Sequence, residues 1–281
     1  MTDASEPSAG LERKLDAAVT ILRKLQRVVV AFSAGVDSTF LLALAAKTLG
    51  GPNVLAAVGT GPSLPQRELD SARQYVAQIG VELVELPTGE MEDARYLANS
   101  SQRCYFCKSD LFGRLTKLAS ARGGWAVVSG ANADDAGDHR PGLRAGRELG
   151  VVNPLMEAGL TKADIRIASQ AMGLPTWDKP AMACLASRVP YGQAITAERL
   201  SRIEQAERAL RDLGFAQVRV RDYQELARLE LPAEDLRRCL DERVEVTQRL
   251  RQCGYLFVTM DLDGFRSGSM NAMLAPSEKQ P

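Results

Sequence analysis

Apolar residues at Leu11, Leu15, Val19 and Leu22 fall at helical spacing and predict a helix over 11–25. Residues 28–32, VVVAF, form an unbroken apolar run, as expected of a strand buried on both faces. Small residues follow at 33–38, and 39–49 is an apolar helix stopped by Gly50-Gly51. This unit of strand, loop and helix recurs more weakly. Strands are predicted at 53–60, 81–87 and 125–130, with helices at 65–79 and near 107–121. Alternation of this kind predicts an α/β fold, a doubly wound parallel sheet with its ligand site at the carboxyl ends of the strands.

From about Pro190 the pattern changes. A charged amphipathic helix is predicted at 196–213, strands at 216–222 and 225–231, one helix over 232–253 and a last strand at 255–262. The expected division is a tail at 1–10, an α/β domain at 11–180, an interdomain loop with Cys184 at 181–195, a smaller α+β domain at 196–273 and a tail at 274–281. The Pro-rich stretch LPTWDKPAMACLASRVPYG (174–192) suits neither helix nor strand, and long loops of this kind in compact proteins are often functional.

Composition narrows the function classes. Lys+Arg and Asp+Glu are both 35, which argues against a surface built to grip nucleic acid. No apolar run reaches the roughly 18 residues of a membrane helix, and MTDASEPSAG has no secretory pattern. A cytoplasmic location is therefore expected, where thiols are free or bind metal rather than pair as disulfides.

SAGVDS (33–38) lies between a predicted strand and a predicted helix. Small residues there let the backbone wrap an anion at a helix N-terminus. Ser33, Ala34, Gly35, Val36, Asp37 and Ser38 are the candidate ATP-binding residues. The loop is neither a Walker A nor a G-x-G-x-x-G motif. It resembles the S-G-G-x-D-S loop of the PP-loop ATP pyrophosphatases, with Ala34 where glycine is usual; a methyl is tolerable there unless the backbone needs positive φ. SGANADDAGDHRPG (129–142) follows a later strand. Asn132, Asp134 and Asp135 either hold magnesium or a phosphate, or simply form a polar turn, and Asn132 and Asp134 join the candidate ATP-binding residues.

Five cysteines are present. Cys239 and Cys253 fall beside leucines in the last predicted helix and suit a core role. Cys104 and Cys107 form a Cys-x-x-Cys pair, and Cys184 sits in the Pro-rich loop. These three suit a [4Fe–4S] cluster with one open iron, a zinc site completed by His139, or free or redox-active thiols. Arg219 and Arg221 alternate along a predicted strand and so share a face, where they can bind carboxylate or phosphate. Glu207, on the preceding helix, is placed to meet them.

SAGVDSTFLLALA, RCYFCK, ANADDAGDHRPGL, NPLMEAGLTKADIR, GLPTWDKPAMACLASRVPYG, VRVRD and GFRSGSMN occur in that order. Together they resemble the LarE family over residues 11–273. These are ATP-dependent sulfur transferases that make the nickel-pincer cofactor of lactate racemase. The resemblance implies ATP and magnesium as cofactors, and pyridinium-3,5-biscarboxylic acid mononucleotide as substrate. A carboxylate of that substrate would be adenylated and then converted to a thiocarboxylate. It implies that Cys184 is catalytic, either giving up its own sulfur or joining Cys104 and Cys107 as ligands of a [4Fe–4S] cluster fed by a sulfide donor. Ser187, Arg188, Glu207, Arg219 and Arg221 would bind substrate, and a homo-oligomer is expected. The rival readings are a PP-loop tRNA thiolase and a non-catalytic nucleotide-binding protein with structural zinc.

Overall fold

The computed structural model describes residues 9–137, 141–180, 183–266 and 268–274. Its first part runs α1 (Ala9–Leu25), β1 (Val28–Ala31), α2 (Val36–Leu49), β2 (Val54–Thr60), α3 (Gln66–Ile79) and β3 (Glu82–Pro87). It continues through α4 (Ala94–Leu97), α5 (Arg103–Ala121), β4 (Ala126–Ser129), α6 (Pro141–Glu148), α7 (Pro154–Glu157) and α8 (Lys162–Ala171).

The four strands form a parallel sheet in the order β3-β2-β1-β4, flanked by helices. Side chains alternate across β1, and the packing follows that alternation. Val28 and Val30 join Phe40, Leu42 and Leu22 in one layer. Val29 joins Phe112 and Leu115 of α5 in the other. Because β1 lies between β2 and β4, the winding reverses between β1 and β4. The crevice outside the carboxyl ends of those two strands is where such sheets take ligands.

The second part contains α9 (Ala197–Asp212), β5 (Arg219–Tyr223), β6 (Leu226–Glu230), α10 (Ala233–Asp241), α11 (Arg243–Gln252) and β7 (Phe257–Met260). Its sheet has the order β5-β6-β7, antiparallel then parallel, over a core that includes Phe215, Val220, Leu229 and Leu250. The single helix expected over 232–253 is two helices, because the chain leaves helical geometry at Glu242 (φ −90°, ψ 13°). A further apolar cluster joins Tyr96 and Leu97 to Leu185, Ala186, Val189 and Ile195, and to Leu200 and Ile203 of α9. The Pro-rich loop is thereby packed down on both sides.

Candidate functional site

The phosphate loop leaves β1 and opens α2. Ser38 Oγ accepts the Ser33 N–H (3.2 Å), lies 3.0 Å from Ser33 Oγ and donates to the Gly35 carbonyl (3.3 Å). Gly35 offers no side-chain cap to α2, which leaves the first N–H groups of the helix for another acceptor, an arrangement suited to phosphate. Ala34 has φ +54° and is fully buried. The position does need positive φ, and an alanine there costs about 1–2 kcal/mol that glycine would not.

Lys179 Nζ, from the Pro-rich stretch, donates to the Ala34 carbonyl (3.0 Å) and to Glu68 Oε2 (2.8 Å). It braces this strained turn. Across the crevice, Lys162 Nζ bonds Asp37 Oδ2 (2.5 Å), and the Lys162 N–H donates to Asp134 Oδ2 (2.9 Å). Asp37 Oδ1 is buried with no hydrogen-bond partner among the described residues. Such an orphaned oxygen suits a magnesium–nucleotide. Asn132 and Asp135 are engaged in their own turn: Asn132 Oδ1 accepts the Asp134 N–H (2.9 Å), and Asp135 Oδ2 accepts the Asn132 N–H (3.0 Å). Gly130 is obligatory for a steric reason, since a Cβ there would lie 2.8 Å from the Ser38 backbone nitrogen. Sequence reasoning missed Lys162, Lys179 and Gly130. Charge inside a Pro-rich loop was the one available signal for Lys179.

Cys104 and Cys107 lie one turn apart in the first turns of α5 and so share a face. Burial pushes the Cys107 thiol up to about 12, and Cys184, Glu90 and Cys104 add to the rise against Lys108. Cys104 and Cys184 are exposed. The three thiols are thus within electrostatic reach of one another. Their donor chemistry fits a thiolate-held iron–sulfur group, although no three donors among the described residues are drawn up around a common point. His139 lies outside the described residues. Cys239 is buried in the second core with Cys253 packed against it, as expected.

The Cys184 turn is held by arginine. Arg188 Nη1 donates to the carbonyls of Ala183 (2.6 Å) and Cys184 (3.1 Å) and to Ser187 Oγ (3.0 Å). Its other edge pairs with Glu207 through Nε–Oε1 (2.7 Å) and Nη2–Oε2 (3.1 Å), both side chains being 1% exposed. Glu207 also accepts from Arg211 Nη2 (2.6 Å) and the Val220 N–H (3.2 Å). Burial raises the Glu207 carboxyl, but Arg188 and Arg211 more than offset this and hold it below the usual range. Glu207 thus bonds Arg188 and Arg211 rather than the Arg219–Arg221 pair it was expected to meet.

A cavity of about 170 Å³ opens beside this turn, lined by Arg103, Ser187, Tyr191, Arg219 and Arg221 among others. Arg221 is already paired with Glu230 (2.6 Å) and donates to the Ser187 carbonyl (2.7 Å). Arg219 stacks on Phe265 at 4.4 Å and makes no ion pair among the described residues. Burial, then the charges of Arg188 and Arg221, pull it down to about 10. Glu230 and Glu207 oppose that fall from a distance without pairing with it, and a buried guanidinium in a cavity with no carboxylate in direct contact is suited to an incoming anion.

A β1–loop–α2 phosphate site at the reversal of a parallel sheet defines the class: a PP-loop, ATP-using α/β enzyme. The family description "asparagine synthase" matches residues 10–108. The chain is 44% identical over 266 residues, 94% of its length, to an uncharacterized protein of Synechocystis sp., covering 99% of that protein. It is 37% identical over 270 residues to the pyridinium-3,5-bisthiocarboxylic acid mononucleotide synthase of Lactiplantibacillus plantarum, covering 96% of this chain and 98% of that protein. An uncharacterized protein of Methanocaldococcus jannaschii is 29% identical over 244 residues, 87% of this chain and 92% of that protein. The chain belongs to the LarE family, and with it come ATP and magnesium use. No helix among the described residues is long and apolar enough to cross a membrane.

Proposed function

We propose that the chain is an ATP-dependent sulfur transferase acting on a carboxylate of pyridinium-3,5-biscarboxylic acid mononucleotide, with Cys104, Cys107 and Cys184 as ligands of one [4Fe–4S] cluster. The observation that carries this reading is the placement of the Cys184 turn. Ala183 and Ser187, on either side of Cys184, line a cation-rich cavity, and Cys184 is within electrostatic reach of Cys107 on α5. A carboxylate is a poor electrophile because its oxygen does not leave. Attack of that oxygen on the α-phosphorus of ATP releases pyrophosphate and makes an acyl-adenylate. A sulfur nucleophile then expels AMP. The α2 N-terminus and Ser38 hold the departing pyrophosphate. Arg219 anchors the anionic mononucleotide, while Arg188 and Ser187 shape the turn that presents sulfur. The cluster, when bound, supplies an open iron where sulfide from a donor can be held.

The test is anaerobic purification with iron, sulfide and zinc quantified, followed by counting of thiocarboxylate per chain. Cluster chemistry gives iron together with several turnovers. Cys104→Ala, Cys107→Ala and Cys184→Ala then each lose both, while Cys239→Ala keeps both. A limit of about one sulfur per chain, with Cys184 converted to dehydroalanine and Cys104→Ala still active, would sink the cluster and leave a sacrificial cysteine. Zinc without pyrophosphate release, or sulfur delivered to bulk tRNA, would sink the reaction itself.

The two arginines of β5 are expected to separate. Arg219→Met should weaken mononucleotide binding by roughly 1.5–3 kcal/mol in calorimetric titration, with folding stability undiminished. Arg221→Met leaves Glu230, itself fully buried, with only Arg228 as its ion-pair partner among the described residues. It should therefore lower the unfolding midpoint as well as the affinity. Equal losses of stability in both variants would contradict this division.

A further inference from the structure

We propose that Asn99 and Arg103 are positioning residues that together set how closely Cys184 approaches the face of α5 carrying Cys104 and Cys107. Asn99 is fully buried with φ +54°. Its Nδ2 faces the carbonyls of Val189 (3.2 Å), Pro190 (2.8 Å) and Gln193 (3.0 Å), and its own carbonyl accepts the Gly192 N–H (3.1 Å). Its Oδ1 accepts Arg103 Nη1 (2.6 Å), which also donates to the Ala186 carbonyl (3.1 Å). Arg103 is 5% exposed, and its guanidinium lies over the Tyr191 ring at 5.4 Å.

Apart from the link between the two side chains, every one of these contacts goes to residues 186–193. Arg103 is the neighbour of Cys104 in sequence, and Ala186 stands two residues after Cys184. The hydrogen bond from Arg103 to Ala186 is thus a short mechanical path between the two sulfur-bearing segments. Cys184 and Cys104 both act electrostatically on the Arg103 guanidinium, so all three groups share one space.

The turn is gripped from two sides. Arg188, paired with Glu207, fastens it to α9, and Arg103 fastens it to α5. Loss of Arg103 leaves the first grip and the apolar packing of Leu185 and Ala186 in place, so the turn keeps its shape, but no directional bond among the described residues then fixes its distance from α5. Packing alone does not call for a buried amide and guanidinium here, since apolar side chains fill such space without the cost of desolvating polar groups. Both bonds come from the one nitrogen Nη1, whose two N–H groups are held in the guanidinium plane; lysine's ammonium has enough donors but no such fixed directions.

This inference concerns the sulfur site of the proposed transferase, and its test does not depend on transfer. The full chain with Cys239 and Cys253 replaced by Ser, reduced and metal-free, is treated with dibromobimane, which bridges only nearby thiols. Peptide mapping then quantifies bridges from Cys184 to Cys104 or Cys107. The parent should form them. Arg103→Met should lower their yield at least ten-fold while circular dichroism and ATP affinity stay within two-fold of the parent. Asn99→Asp, which keeps the link to Arg103 but loses the donors to the loop, should also lower it, and Arg103→Lys should recover part of the yield. A parent that forms no such bridge, or an Arg103→Met yield within two-fold of the parent, overturns the proposal. If Arg103→Met does not fold, Arg103→Lys decides: a fall of three-fold or more supports the clamp, and an unchanged yield overturns it. Failed sulfur transfer with this bridging pattern intact would overturn the proposed function and leave the clamp standing.

Discussion

Glu207→Ala is expected to cost about 3–5 kcal/mol of folding stability, the range for breaking a buried ion pair by removing one partner. The reason is the charge left behind. Arg188 is 1% exposed and has Glu207 as its only carboxylate partner among the described residues. Arg211 loses the same partner at its own edge. Urea unfolding followed by circular dichroism measures the loss. Glu245→Ala is the control, because its pairing with Arg249 on α11 leaves the two side chains 47% and 45% exposed. Surface pairs of that kind contribute less than about 1 kcal/mol. Similar losses in the two variants would mean that the buried pair does not organise this region.

The same pair fixes a pH dependence. Glu207 is held below its ordinary range in the folded chain. Its contribution is therefore fully present above the unfolded carboxyl value of about 4.3 and is lost as pH falls through the folded value. The stability gap between the parent and Glu207→Gln should narrow on acidification. A gap constant from pH 7 to pH 3 would contradict the assignment.

Gly35→Val should abolish ATP use, by at least 100-fold, with the fold unchanged; losing even one preorganised donor to a developing anion typically costs 100- to 1,000-fold. Gly35 has φ −83° and ψ 170°, extended geometry that valine adopts freely. A Cβ there would meet only Ser33 Oγ at 3.5 Å, an ordinary contact. The branched methyls then occupy the space between the Ser33 hydroxyl and the first turn of α2, where phosphate must sit. Pyrophosphate release and calorimetric ATP binding report the effect. A valine variant that binds ATP normally would remove the loop from the nucleotide site.

Local chemistry made parts of this architecture legible. VVVAF declares a buried strand without help from the rest of the chain, and the small residues behind it declare the phosphate loop. The helix α8 is not evident from the sequence although Thr161 and Asp164 form a complete capping box; that signal is short and stands in a segment without strong apolar periodicity. The break at Glu242 was hidden because α10 and α11 follow one another with no glycine or proline between them. The pairings that build the site were not legible at all. Arg188 meets Glu207 across 19 residues, Lys162 meets Asp37 across 125, and Lys179 reaches the Ala34 carbonyl across 145. No periodicity or spacing encodes such contacts; they exist only after the sheet and the Pro-rich loop have packed. The need for positive φ at Ala34 was hidden for the same reason.

The grip of Arg188 on the Ala183 and Cys184 carbonyls separates the outline of the turn from the condition of its sulfur. Backbone, not thiol, is what the guanidinium holds. A chain whose Cys184 has been oxidised, alkylated or stripped of its sulfur therefore keeps the same scaffold and stays folded. Molecules altered in this way would offer proteases no unfolded segment to seize and would accumulate beside intact ones. On the proposed function, protein concentration would then overstate the active fraction, and specific activity should be normalised to chains whose Cys184 is intact.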